Sequence, residues 1–336
     1  MFKKIMLTAA LFVAVTGQTL FAADMTKLIP EDSDFLLQIN VAKILALPEV
    51  QKQIADEFAK QPEQKKTYEE LKTKSGFDPL KDISNLVLFS SGKATEGQDA
   101  LGGAIIEGKF DVEKIVKVIK EDENAKKDVD LTVVDGFNCV VPKNSKDGYG
   151  MFLDNQYVVV GSQSGVDAVK AVKMGKAKTI ETNKDFLAII NKIDSKATVS
   201  GAGILPQAFK DKCAQNPNAA ALANINTFFF DFNNDTNLVF NLNAEVDKKE
   251  NVNNVMTQIN GYIAMIKMFA SQAGPEIAEA VNMLTATNTE TTIKLSLDIP
   301  AAKVAEIKAK LQEKAKQLQE QQKGGAAGSD ANAPRE

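Results

Sequence analysis

"LTVVDGFNCVV" (131–141) decides the fold. Two runs of β-branched and aromatic residues flank Asp135-Gly136. An Asp-Gly pair between alternating runs predicts a two-residue hairpin, because both residues tolerate the positive φ that a type I′ turn demands. The same grammar continues down the chain. "KNSKDG" (143–148) reads as a second turn, and "YGMFLDNQYVVV" (149–160) carries a third at Asp154-Asn155. Together they predict a four-stranded antiparallel meander. It feeds the helix "VDAVKAVKM" (166–174), which stops at Gly175.

Upstream, "DFLLQIN" (34–40) reads as a strand whose Asn40 caps "VAKILALPEVQKQIADEFAK" (41–60), a helix interrupted by Pro48. "KTYEELKTKSGF" continues helical to Gly76. "NLVLFSS" and "GGAIIEGKF" are strands on either side of the loop "GKATEGQDA" (92–100), and Asp111 caps the amphipathic helix "VEKIVKVIKED". Downstream the order recurs. Asn183 caps "NKDFLAIINKI", "ATVSGAGI" is a strand, and "LPQAFKDKCAQN" is a helix. "NTFFFDF-NND-TNLVFNLNAEV" is a long hairpin, a helical stretch over about 250–284 breaks at Gly274-Pro275, and "TATNTETTIKLSLD" returns as strand before a last helix.

The pattern predicts an α+β fold of antiparallel sheets with helices packed on one face. Two halves, 23–178 and 179–322, would each repeat a β-α-β-β-α-β-β-α unit. "GKFDVEKIV" aligns with "AEVDKKENV", each a strand, an Asp cap and a helix. Residues 323–336, "KGGAAGSDANAPRE", have the composition of a disordered tail.

Residues 1–22 read as a secretory signal: Lys3 and Lys4, an apolar stretch from Ile5 to Val15, then small residues leading to cleavage near Ala22. Its loss removes two lysines and no acid, taking the formal charge from −4 to −6. A mildly acidic exported chain is a poor ligand for nucleic acid. No later stretch is long and apolar enough to span a membrane; "GYIAMIKMFA" is short and contains Lys267. These features place the protein in the periplasm or outside the cell. Cys139 and Cys213 both point inward by periodicity, and export would expose them to oxidising conditions. A Cys139–Cys213 disulfide and two separate buried thiols both fit that pattern.

The chain has no histidine. That removes Ser-His-Asp and Cys-His nucleophilic sites and histidine metal sites. "GSQSG" (161–165) imitates the esterase elbow but places Gln163 where the nucleophile belongs, so it reads as a strand end and a helix cap. "KEDENAKKDVD" (120–130) gathers Glu121, Asp122, Glu123, Asp128 and Asp130 without calcium-loop spacing, and its lysines make it a solvated helix end. "DFNNDTN" (231–237) is a hairpin turn by the same reasoning. No catalytic, cofactor or metal residues are assigned. On "MTQINGYIAMIKMFA" (256–270), Met256, Ile259, Ile263 and Ile266 form one stripe beside Met265 and Phe269, with Met268 further round. That face reads as core or as an apolar groove built from Met256, Ile259, Met265, Met268 and Phe269.

The segments "LIPEDSDFLLQINVAKILALPEVQ", "GGAIIEGKFDVEKIVKVIK", "VDGFNCVVP" and "MFLDNQYVVVGSQSGVDAVKAVKMGKA" resemble a family of exported bacterial proteins built on a domain of unknown function. The resemblance covers nearly the whole mature chain and implies an exported α+β protein with no assigned catalytic residues. The sequence therefore points to a non-catalytic binding or interaction module of the cell envelope, its partner an unknown protein or apolar ligand. The alternatives are a carrier of an apolar ligand on the methionine-rich helix, or a histidine-independent hydrolase using carboxylates or a Ser–Lys pair.

Overall fold

The computed structural model describes residues 25–91, 101–143 and 148–326. The signal segment 1–22, the loop 92–100, most of the 143–148 turn and residues 327–336 of the tail lie outside them. The last helix runs to Ala326, four residues past the expected boundary at 322.

In chain order the first half comprises β1 (Phe35–Asn40), α1 (Val41–Ala46), α2 (Pro48–Lys60), α3 (Pro62–Ser75), α4 (Pro79–Asp82), β2 (Ile83–Ser90), β3 (Gly102–Gly108), α5 (Val112–Glu121), α6 (Glu123–Asp128), β4 (Val129–Val134), β5 (Phe137–Pro142), β6 (Tyr149–Phe152), β7 (Tyr157–Gly161) and α7 (Gln163–Lys173). After α8 (Lys184–Ile190) the second half runs β8 (Val199–Ile204), α9 (Gln207–Gln215), β9 (Ile225–Asn233), β10 (Leu238–Val246), α10 (Val252–Ala273), α11 (Pro275–Asn282), β11 (Thr285–Thr289), β12 (Thr292–Ile299) and α12 (Ala301–Ala326). Local chemistry sets these boundaries. Asn40, Asp111, Ser162 and Asn183 each accept a backbone N–H of the helix they precede. Proline opens α2, α3, α4 and α11.

All the strands join one antiparallel sheet, in the order β11-β12-β10-β9-β8-β1-β2-β3-β7-β6-β5-β4. The halves meet at its centre, where β1 pairs with β8. In each wing the third strand pairs with the last strand of its half: β3 with β7, and β10 with β12. The first wing carries the additional hairpin β4–β5. Its turn has Asp135 at φ 51° and Gly136 at φ 88°, the left-handed pair expected of Asp-Gly.

The α+β class is as read, but helices do not keep to one face. Along β7, Val158 and Val159 point to opposite sides. Val159 joins Leu36, Val87 and Ile105 in a core closed by Val166 and Val169 of α7 and Phe186 and Ile189 of α8. Val158 packs with Val140 against Ile115, Val116 and Ile119 of α5 on the other side. The first wing is thus covered on both faces. In the second wing, α10 covers one face, against Ala244, Val246 and Ile293. The glycines of β8 are required by this packing: a Cβ on Gly201 would stand 2.7 Å from the Phe230 ring lying across it. Among the described residues, no helix is long and apolar enough to cross a membrane.

Candidate functional site: an apolar cavity with a polar vestibule

The α5-covered face of the first wing is not fully packed. Where β6, β7 and β3 run side by side, Val160 faces Gly150 on one neighbour and Ala104 on the other. These small side chains leave a hollow beneath the helices. The result is a cavity of about 160 Å³, floored by Val140, Gly150, Val158 and Val160 and walled by Ile115 and Ile119 of α5 and Leu71 of α3. The lining is mainly apolar, with Thr67, Glu70, Lys74 and Asp122 also contributing to it, and a hollow of this kind accepts apolar groups.

Helix α3 forms one wall although its sequence, "PEQKKTYEELKTKS", is polar and only Ser75 is buried. A polar cluster at its C-terminal end holds it down. Buried Asp78 accepts the Tyr68 hydroxyl at 2.6 Å and the Leu80 N–H at 3.1 Å, and Lys72 Nζ lies 3.1 Å from its other oxygen. Burial pushes the Asp78 carboxyl up, but Tyr68 and Lys72 more than offset this and leave it below its ordinary value. The Tyr68 hydroxyl is raised far above its ordinary value, first by burial and then by Asp78.

Gly76 ends α3 in the left-handed region at φ 71°, and Phe77 follows. The Phe77 and Phe110 rings lie 5.3 Å apart. Both rings line the cavity and also an open polar vestibule beside it, which contains Lys81, Asp82, Glu107, Lys109, Asp111 and Asp154. Glu107 is only 6% exposed. Its carboxylate accepts Asn85 Nδ2 at 2.6 Å, Ser84 Oγ at 3.1 Å and Gln156 Nε2 at 3.2 Å. Lys114 lies 2.7 Å from Asp111 and, by hydrogen bonding to it, lowers the pKa of its carboxyl. Burial works against the Asp154 charge, but Lys173 at 2.5 Å and the backbone N–H groups of Gln156 and Tyr157 hold its pKa below the usual value.

The sites expected from sequence fall elsewhere. On α10, Ile259 is buried in the core and Met256 packs half-buried against it, whereas Met265, Met268 and Phe269 are 44–56% exposed. The five residues therefore do not line one groove. Cys139 and Cys213 are buried but unpaired, one on β5 and the other on α9. The expected alternative of a disulfide is thereby corrected. Cys139 belongs to the core between the sheet and α7, and its thiol points to the Phe137 carbonyl at 3.4 Å. The acidic run spans the end of α5, the capped helix α6 and the start of β4. Asp122 accepts the N–H groups of Asn124 and Ala125, while Glu121, Glu123 and Asp130 each face a lysine. At "GSQSG", Ser162 Oγ accepts Gly165 N–H at 3.1 Å and donates to the Gly102 carbonyl at 3.1 Å. A Cβ on Gly165 would meet that carbonyl at 2.2 Å, so the glycine lets α7 sit on β3.

Sequence reading missed the cavity. Two signals lay in plain view: Gly150 inside the strand "YGMF", and Glu107 at the end of the apolar run "AIIEG". Each breaks a strand pattern where a side chain of ordinary size or polarity would be expected.

No protein-family model matches the sequence, and no curated protein matches it. Among solved structures, the chain is similar to crystal form IV of TP0453, at 9% sequence identity and a TM-score of 0.44, with 84% of this chain and 95% of that chain covered.

Proposed function

We propose that this protein is a non-catalytic binding protein of the cell envelope that carries an apolar ligand in the first-wing cavity. The observation that supports this reading is the juxtaposition of an apolar cavity of about 160 Å³ with a polar vestibule across the Phe77–Phe110 pair. A binding site of this kind needs apolar walls for affinity and a few polar groups at its mouth for orientation. Export is part of the proposal; it rests on the signal-like N-terminus and on the resemblance to exported proteins. The shared winding of the two wings supports, within the same reading, a common β-α-β-β-α-β-β-α unit.

The test is thermal denaturation of the full mature chain with dodecanol, for wild type and Val160→Phe. Gly150 and Ala104 leave room for the added ring. Wild type is expected to gain stability with ligand, as any binder of the native state requires. The variant is expected to match or exceed the unliganded wild type and to gain nothing from dodecanol. An equal gain in both proteins would place the ligand elsewhere.

A second reading is favoured by α10, where Met265, Ile266, Met268 and Phe269 stand 44–56% exposed on one helix. Such a patch suits a protein partner. Phe269→Glu would abolish that association and leave dodecanol binding intact, as followed by chemical cross-linking in cell-envelope extracts and by the thermal assay.

A further inference from the structure

We propose that the ligand of the first-wing cavity is a single-chain amphiphile with an anionic head, its tail beside Val160 and its head at Lys81 and Lys109. This deepens the reading of the cavity as a ligand site and depends on it. The cavity and the vestibule share the Phe77–Phe110 wall, so a molecule that occupies both is apolar at one end and polar at the other. The charge pattern of the vestibule selects the head. Its acids are already engaged: Asp111 by Lys114 and Asp154 by Lys173, Glu107 by Asn85, Ser84 and Gln156, and Asp82 by the Asp78 N–H at 2.6 Å. Lys81 and Lys109, both exposed, have no ion-pair partner among the described residues. Each of these carboxylates already holds at least one donor, whereas the ammonium groups of Lys81 and Lys109 have no acceptor among the described residues, so an added anion meets two cations whose donors are free. Charge-assisted hydrogen bonds to a carboxylate or phosphate are the strong members of their class. The aliphatic stems of the lysines can lie against the tail as it leaves the wall.

Calorimetric titration of the full mature chain compares dodecanoate, dodecanol and dodecyltrimethylammonium, each below its micelle concentration. The chain length is constant, so only the head varies. Dodecanoate is expected to bind about tenfold more tightly than dodecanol, and the ammonium compound more weakly than either. In Lys81→Gln/Lys109→Gln the ratio of dodecanoate to dodecanol affinity falls toward one, while Lys127→Gln, on α6 and in the lining of neither the cavity nor the vestibule, retains it. In wild type the ratio also falls as salt is raised. Equal binding of dodecanoate and dodecanol, or a preference that survives in the double variant, overturns the assignment of the head and leaves the cavity reading standing. Failure of all three compounds to bind overturns both.

Discussion

The two wings of the sheet are built from similar connections but buried differently. In the first wing, neighbouring residues of one strand lie in different cores: Val158 beneath α5 and Val159 beneath α7 and α8. Its strands accordingly read as continuous apolar runs, "LVLF", "AII" and "YVVV". In the second wing one face carries Phe228, Phe230, Leu242 and Leu295, and the other carries Asp231, Asn241 and Ser296. Those polar residues form a cross-strand ladder: Asn241 Nδ2 donates to Asp231 at 2.9 Å, and Ser296 Oγ donates to Asn241 Oδ1 at 3.1 Å. The lesson is that continuous apolar runs in the first wing, and alternation along β10 and β12 in the second, separate the doubly covered part from the part with a polar face; β9 is the exception, because Phe229 lies on the polar face beside β8 and packs against the first-wing core. A cavity can be enclosed only where helices cover the sheet and the side chains between them are small, and the first wing satisfies both conditions on its α5 side.

The comparison is tested most strongly by truncation within the doubly covered wing. Ile105, fully buried on β3, should lose about 2–5 kcal/mol on replacement by alanine. Asn243→Ala, on the polar face of β10, should stay within about 0.5 kcal/mol of wild type. Urea denaturation of both variants checks the pair, and similar losses at the two positions would remove the distinction between the wings.

A smaller effect is expected where α3 is pinned. Tyr68→Phe deprives the buried Asp78 carboxylate of a donor at a cost of about 1–3 kcal/mol at neutral pH. The folded-state pKa of Asp78 is lowered, so its contribution is complete above the unfolded pKa and is lost as pH falls through the folded one. The difference between wild type and Tyr68→Phe should therefore shrink once the pH drops below about 4. A penalty independent of pH, measured by urea melts across this range, would assign Tyr68 a packing role only.

Smaller still is the tie between the two halves made by Lys308 and Glu49, 2.5 Å apart and both substantially exposed. Lys308→Ala should cost no more than about 1 kcal/mol, and less in high salt. The last expectation is a null. With Cys139 and Cys213 buried and unpaired, a reductant leaves the melting temperature unchanged, and the unfolded protein yields two reactive thiols. A lower melting temperature under reduction would mean that the chain is cross-linked.

Much of this architecture was legible because the relevant physics is local. The Asp135-Gly136 turn, the caps at Asn40, Asp111, Ser162 and Asn183, and the break at Gly274-Pro275 each depend on a few neighbouring residues. The stripe on α10 was legible in phase but not in extent: Ile259 and Ile263 are buried and Met256 packs half-buried with them. The buried residues begin a turn earlier, at Val252 and Val255, and pass through Ile259 and Ile263 to Ala270, which leaves Ile266 exposed. A window opening at Met256 omits the turn that fixes the helix on the sheet. The cavity left only isolated hints in the sequence, at Gly150 and Glu107, for a different reason. Val140, Gly150 and Val160 come together only through pairing of β5, β6 and β7, and Leu71 reaches them from α3, far away in sequence. Small residues on separate strands carry no joint signal until the register brings them side by side.

The most direct test is methyl NMR of the full chain during titration with dodecanol. Binding in the first wing predicts that the methyl signals of Ile115, Ile119, Val140 and Val160 shift in a saturable way while those of Met265 and Met268 stay still. Shifts confined to Met265 and Met268, with the cavity methyls unmoved, would contradict the account and place the ligand on α10.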